Sequence, residues 1–578
     1  MHMRPTNPLT RARSQHRNQT RFPRMNYSTF DTMKVSADRS APVQWRLRSK
    51  SPEIGAVIDH LVGQIRLIKG YKKPPPVKGL RAAAELLVLN FLRCRYSDHN
   101  RLLGIPLNSG AGLYKCGRVS YTNMMLAVRG MTTLQLLTVA YGGYRDREAG
   151  RGRQTRFQGA PELFALCAAF GATPNMVLSR ERDPLVELRG EKPKDGSRAK
   201  VYERWPSGSI TARDRMKANL RTINAALESS FIGLHVTDKD LNQMHEQLAG
   251  EASRPRSRRR DNDLPSHIDL ANRTLYRIFN DGSAELGGRF YGPWWMAVPK
   301  QYRKYIHIAR PGNPYPTYTF ERDYRAVQPA ILYAEAGIEC PGDPYKIYGS
   351  STSDSVRGIV KTVLLPMLNA ANRTAALRAS NNAVKDRFQG RYEAAHPGLP
   401  APNTNVTAIL SSADCPPMKT LFKDIESFHE PIFDRFYSPN VGKHLQFQDS
   451  KLAEMVMLWM IRMSGTVVLP IHDSFVCRKG YEDELEAAMQ TAFRALFHTE
   501  INIKLEESER DEERSRNPPD GNIDLVNLID PSYLDSLRES PPSEYVMYDA
   551  MVSDWEAGIN GRIVARKASR KTLSDKVA

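Results

Sequence analysis

The stretch Ser464-Gly-Thr-Val-Val-Leu-Pro-Ile-His-Asp-Ser-Phe-Val-Cys-Arg-Lys-Gly480 limits the possible folds of this chain more than any other. It reads as an apolar strand, a His472-Asp473 step and a second short strand closed by Gly480, a hairpin with an acid at its tip. A carboxylate held between two buried strands has little freedom to move, which makes Asp473 a candidate metal ligand. Hard cations such as Mg²⁺ in phosphoryl transfer take more than one carboxylate together with substrate phosphates, so a second acid should lie upstream. The best candidate is Asp323, where the strand-like run from Tyr318 ends and a helix-like apolar pattern begins. Between the two acids, Arg357 and Lys361 are four residues apart, on one helical face, where two cations can meet a triphosphate.

The chain has 578 residues, enough for several domains, and 83 Lys and Arg against 63 Asp and Glu leave a net charge of +20. That excess favours a polyanionic partner. Apolar runs such as Leu86 to Leu92 fall far short of the ~20 residues a membrane-spanning helix needs, so no membrane is expected. The six cysteines are scattered, with no pair at zinc-binding spacing, and are read as reduced thiols of a cytoplasmic protein.

Residues 1–50 hold eleven basic and two acidic side chains and read as a disordered basic arm. Residues 51–250 form a mainly helical DNA-binding region. Within it, about 95–160 should be a winged helix: two short helices, Tyr121 to Val128 and Thr133 to Ala140, then a Gly-rich hairpin whose Arg151, Arg153 and Arg156 can reach phosphates. An Arg-rich linker at 251–265 is the expected domain boundary, followed by a mixed α and β region at 266–530 with strands such as Tyr302 to Ile308, and by a C-terminal extension, 531–578, with a basic tail.

The region around 265–500 resembles the palm and fingers of family A DNA polymerases and of their relatives, the single-subunit phage-type RNA polymerases. Asp323-Tyr324 is similar to the family's motif A, Arg357-x3-Lys361 to the motif B helix, and His472-Asp473 to motif C, in the family's order across 150 residues. Gly287-Gly-Arg289 resembles an element that contacts the primer and template backbone, and Gln448 resembles a glutamine that contacts the duplex. The resemblance implies an α+β fold with a right-hand polymerase core and two Mg²⁺ ions held by Asp323, Asp473 and the Tyr324 carbonyl. It places Arg357, Lys361, Gln328 and Asn369 at the nucleotide, and Arg289, His472 and Gln448 at the primer and template.

The implied function is template-directed nucleotidyl transfer by a DNA polymerase whose partners are DNA template, primer and nucleoside triphosphates. No proofreading exonuclease is expected: the Asp-x-Glu of the first 250 residues, Asp146-Arg147-Glu148, lies within the Gly-rich, Arg-rich hairpin. An RNA polymerase or primase-like enzyme on the same core is one alternative, and a replication initiator or regulator with an inactive core is another. Sugar choice stays open, because Gln328 stands where family A DNA polymerases carry glutamate, Asn369 where they carry tyrosine, and Ser474 follows the motif C aspartate as in the phage-type RNA polymerases. Pro366 predicts a kink in the motif B helix.

Overall fold

The apolar spacing that begins at Ile54 becomes helix α1 (Pro52–Leu67), started by Ser51, whose hydroxyl accepts the Ile54 N–H at 3.3 Å. The structure is a computed structural model that describes residues 40–69, 74–97, 101–108, 114, 119–146, 151–179, 184–191, 203–253, 268–309, 316–396, 399, 401–471, 473–505, 545, 547–549, 551–553 and 555. Two compact units meet in the chain between Val177 and Leu178. The fold is mixed, with helices and sheets in both units. Among the described residues no helix is long and apolar enough to cross a membrane.

In the first unit, strand β1 (Ala41–Pro42) precedes α1, which is followed by α2 (Val77–Ser97), β2 (Leu103–Ile105), α3 (Tyr121–Thr133), β3 (Leu137–Tyr141), β4 (Thr155–Gly159) and α4 (Pro161–Ala169). The strands lie in the order β1-β2-β4-β3. Val57, Ile58 and Leu61 of α1, Leu87 and Phe91 of α2, Met124 and Val128 of α3 and Phe157 of β4 share one buried core. The helix expected over Thr133 to Ala140 is instead a turn and a strand. Gln135 adopts the left-handed conformation at φ 58°, which stops α3, and the β-branched Thr138 and Val139 pair with Gln158 and Phe157. The extended hairpin ends in short paired strands, Tyr144–Asp146 and Arg151–Arg153.

In the second unit, α5 (Ile210–Ser229) leads into β5 (Phe231–Leu234), followed by β6 (Tyr276–Phe279), β7 (Gly287–Tyr291), β8 (Ile306–Ala309) and β9 (Thr317–Tyr324). Next come α6 (Val327–Glu335), α7 (Asp354–Asn369), α8 (Arg373–Ala395) and α9 (Val441–Trp459). Last are β10 (Val468–Ile471), β11 (Ser474–Arg478), α10 (Glu482–Phe497) and β12 (Ile503–Leu505). The main sheet runs β5-β8-β9-β11-β10, with β12 also paired to β9.

The boundary expected at 251–265 therefore falls inside this unit. The reason is strand pairing: β5 lies antiparallel to β8, and Val186–Leu188 joins β6, so segments before the linker complete sheets built after it. Of Tyr302 to Ile308 only the part from Ile306 is strand, since Lys300–Tyr305 winds into a 3₁₀ turn after Pro299. In the C-terminal extension, Tyr548 and Trp555 pack their rings on Phe231, with centroids 6.3 and 5.9 Å away. The arm at 1–39 and the basic tail after Gly558 lie outside the described residues.

Candidate active site

Strand register brings the two candidate acids together. In the antiparallel pair β9–β11, Asp323 lies opposite Ser474, the residue next to Asp473, and Asp473 occupies the two-residue turn between β10 and β11. Both strands of the hairpin are buried, so the turn is fixed from two sides. Asp323 and Asp473 are half-buried, and Oδ1 of Asp323 is shielded from solvent. Glu321, two residues before Asp323 and thus on the same face of β9, accepts a hydrogen bond from the Ser474 hydroxyl and pairs with Arg303 at 3.0 Å. Tyr324 turns the other way, its hydroxyl donating to the Met489 carbonyl at 2.8 Å and its ring between Phe475 and Phe493. Beyond the strand, Ala326 sits in the left-handed region at φ 53°, a sharp turn that starts α6 and brings Gln328 within five residues of Asp323.

Helix α7 starts at Ser353, whose hydroxyl caps the Val356 N–H at 3.2 Å, and runs through Pro366 to Asn369. The kink expected at Pro366 does not end it. Val356, Val360, Val363, Leu364 and Met367 are buried on one side, while Lys361, Leu365 and Asn369, each four apart, form an exposed stripe on the other. Leu365, in the middle of that stripe, is 49% exposed.

Arg357 is not available in the way the spacing suggests. Its Nε donates to Asp343 at 2.7 Å, and Asp343 is shared with Arg325 at 3.0 Å. Although burial alone would raise it, these hydrogen bonds hold the Asp343 carboxyl below the usual carboxylate range. Tyr345, two residues on, lies under both cations, its ring 5.4 Å from the Arg357 guanidinium carbon and 5.8 Å from Lys361 Nζ. Burial raises its phenol, Arg357 opposes that rise, and Asp473, Asp343 and Asp323 add to it. The loop is anchored by His429, fully buried, whose Nε2 meets the Pro344 carbonyl at 3.0 Å and whose Nδ1 meets the Tyr333 hydroxyl at 3.1 Å. Burial pushes His429 down to about 4, so the ring is neutral, with Nε2–H donating to Pro344 and Nδ1 accepting from Tyr333.

Arg289 projects from β7 to Asp449 of α9, with Nε 2.9 Å from Oδ2 and a second contact through Nη2. Gly288, at φ 79°, leaves room beside this pair: a Cβ there would lie 2.8 Å from the Phe279 ring of β6 and 3.1 Å from Ser450 Oγ of α9. Burial pushes Asp449 up to about 6 against the pull of Arg289, and Asp473 is near enough to add to that rise. Arg289 also feels Asp473, so this ion pair adjoins the acids.

Four of the expected side chains line one cleft of about 740 Å³: Arg289, Gln328, Lys361 and Asn369. Leu365, Arg387 and Gln446 share it, and the lining contains no Asp or Glu. Gln448 is not part of that lining. Its amide donates to Glu335 at 3.1 Å and its oxygen accepts from Lys451 at 3.2 Å, because two residues along α9 is a rotation of about 200° from Gln446. His472 lies outside the described residues, as do the side chains of Arg151 and Arg153. Arg156 is half-buried: its Nη1 donates to the Gln154 carbonyl and would lie 3.1 Å from a Cβ on Gly104 of the neighbouring strand.

Sequence reading missed Asp343, Tyr345, Asp449 and Arg387. Only Asp343 and Tyr345 left a signal, a Pro-Gly-Asp-Pro-Tyr turn just before the motif B helix. Among the described residues no group of three or more His, Cys, Asp or Glu side chains is placed to share a metal ion. Comparison with models of known protein families and with curated proteins finds no match to this chain.

Proposed function

We propose that this chain is a template-directed nucleotidyltransferase, a DNA-directed DNA polymerase of the family A type that acts without a proofreading exonuclease. The observation that carries the reading is the convergence of Asp323 and Asp473 through strand register beside an acid-free cleft lined by Lys361, Gln328, Asn369 and Arg289. Two half-buried carboxylates on adjoining strands, one with a shielded oxygen, are hard oxygen donors that suit Mg²⁺, which keeps water and substrate phosphate in its remaining positions. Asp323, Asp473 and the Tyr324 carbonyl would hold two such ions, which when bound lower the pKa of an attacking hydroxyl and offset charge on the leaving phosphate.

The remaining work falls to side chains of this chain. Lys361, exposed on the cleft, meets the triphosphate as a mobile point charge. Arg357 joins it once phosphate oxygens compete with Asp343 for the guanidinium. Arg289, fixed by Asp449, presents its remaining N–H groups to a strand phosphate. Gln328 and Asn369 face the sugar without an aromatic partner, since Asn369 folds back on the Leu365 carbonyl at 2.8 Å, so discrimination against a 2′-hydroxyl is weak. In the first unit, the succession α2-β2-α3-β3-β4 with β4 between β2 and β3 supports a winged helix that docks on duplex DNA.

Primer extension with Mg²⁺, offering deoxy- and ribonucleotides in parallel, tests the reading. Asp323→Asn and Asp473→Asn should each cut synthesis by at least ~10³-fold, or ~4 kcal/mol, with DNA affinity retained. Exclusive ribonucleotide use would favour the RNA polymerase alternative, and DNA binding without any synthesis by the unaltered chain would favour an initiator with an inactive core.

A further inference from the structure

Arg387 closes one wall of the cleft, and nothing in the reading above gives it a role. It follows Ala379 and Ala383 at four-residue spacing on α8, so all three lie on one helical face, and all three line the cleft. Small side chains on the first two turns leave an open floor that ends at a guanidinium. The other arginine of the cleft lining, Arg289, is paired with Asp449, and Arg357 of α7 is paired with Asp343. Arg387 has no carboxylate partner among the described residues.

Its surroundings make that arrangement costly. The side chain is half-buried, and burial together with the nearby Arg391 lowers its pKa, so the cation is partly stripped of water and faces another cation. Helix α7 is adapted to it. A Cβ at Gly358 would lie 2.3 Å from Nη2 of Arg387, so an alanine there would displace the guanidinium from its present seat against the helix. Glycine in a helix interior is less favourable than alanine by ~1 kcal/mol, and α7 retains it one turn before Thr362, which also lines the cleft.

We propose that Arg387, seated on Gly358, binds a phosphate group of the polyanion that occupies the cleft. A guanidinium offers a planar fork that matches two phosphate oxygens, and a partly dehydrated, uncompensated one gains most from an anion. The phosphate belongs either to a free nucleoside triphosphate or to the backbone of a single strand, and the chemistry is shared. The assignment rests on the cleft being a nucleotide site, but not on catalysis.

The test is equilibrium binding to the full chain without divalent metal, using a fluorescent deoxynucleoside triphosphate and a labelled single-stranded 12-mer as separate probes. Arg387→Gln should weaken at least one probe by about tenfold, with the slope of log affinity against log salt falling by ~0.7 for the strand if that contact is lost. Arg387→Lys should keep part of the affinity, because the charge remains while the fork is gone. Gly358→Ala, which changes no charge, should reproduce most of the loss, and combining it with Arg387→Gln should add little. Loss confined to the triphosphate assigns a nucleotide phosphate, and loss confined to the 12-mer assigns the strand. Unchanged affinity for both probes in a folded Arg387→Gln chain overturns the proposal, whatever Gly358→Ala does to stability. Fully additive losses overturn the seat on Gly358. A chain that never extends a primer yet shows these losses would keep the phosphate site while the polymerase reading fails.

Discussion

On the sheet side of the cleft, Asp323 and Asp473 are placed by strand pairing, with neighbours in register on both sides. On the helical side, Arg357, Lys361 and Arg387 are placed by turns of α7 and α8, and their availability depends on whether a carboxylate from elsewhere reaches them. Arg357 and Arg289 have such a partner, so each contributes to the fold, and of the two only Arg289 also lines the cleft. Lys361 and Arg387 contribute to the cleft with much less structural commitment. Position alone therefore does not tell a ligand-binding charge from a structural one; the presence of a fixed counter-charge does.

That contrast can be broken most strongly at Asp449, which is 3% exposed. Asp449→Ala leaves the half-buried Arg289 without its carboxylate and should destabilise the second unit by about 3 kcal/mol in urea unfolding. Replacing both partners, Arg289→Met with Asp449→Leu, should recover most of that loss, since an apolar pair leaves no uncompensated charge. An equal loss in both variants would show that packing, not charge, dominates.

His429 tests the anchoring of the Asp343–Tyr345 loop. Its folded pKa of about 4 lies below the ordinary imidazole value of 6.5, so the unfolded chain takes up the proton first as pH falls. The neutral ring's contribution is complete above pH 6.5 and is lost as pH drops from 6.5 to about 4, for a total of about 3 kcal/mol at 1.36 kcal/mol per pKa unit. His429→Gln should flatten that part of the stability profile. A wild-type profile without the slope would mean that Pro344 and Tyr333 are not held by a neutral imidazole.

Lys361 and Arg357 sharpen the comparison on a single helix. Lys361→Ala should lower kcat/KM for nucleotide about 10–100-fold, or ~1.4–2.7 kcal/mol, with unfolding stability within ~0.5 kcal/mol of the unaltered chain. Arg357→Ala should instead lower both, because Asp343 loses one of its two cations. The smallest effect is expected at Ala326, whose left-handed backbone costs an L-residue about 1 kcal/mol that glycine avoids. Ala326→Gly should raise the unfolding free energy by up to ~1 kcal/mol, and a loss of stability would mean that the Ala326 methyl packs usefully.

Local pattern carried the reading furthest where side chains repeat along one element. The hairpin around Asp473, the helical face shared by Arg357 and Lys361, and the strand ending at Asp323 are all legible because period two and period 3.6 are written in neighbouring residues. The same approach failed at Thr133 to Ala140, where pairing with Phe157 and Gln158 outweighed a short helical pattern. Along α9, Gln446 lines the cleft while Gln448, two residues on, turns to Glu335 and Lys451, a difference of helix face that the sequence pattern did not show.

By itself, then, the chain's sequence determined the strands around Asp323 and Asp473 and the helix that carries Arg357 and Lys361, where the acids and cations fall along them, and the net positive charge that calls for an anionic partner. Tertiary structure alone decided that Asp323 lies opposite Ser474, that Asp449 neutralises Arg289 from 160 residues away, and that Gly358 makes room for Arg387. The physical reason is range. Propensity and periodicity act over a few residues, whereas register, ion pairing and close packing are settled between segments that the sequence keeps far apart and only a shared core brings together.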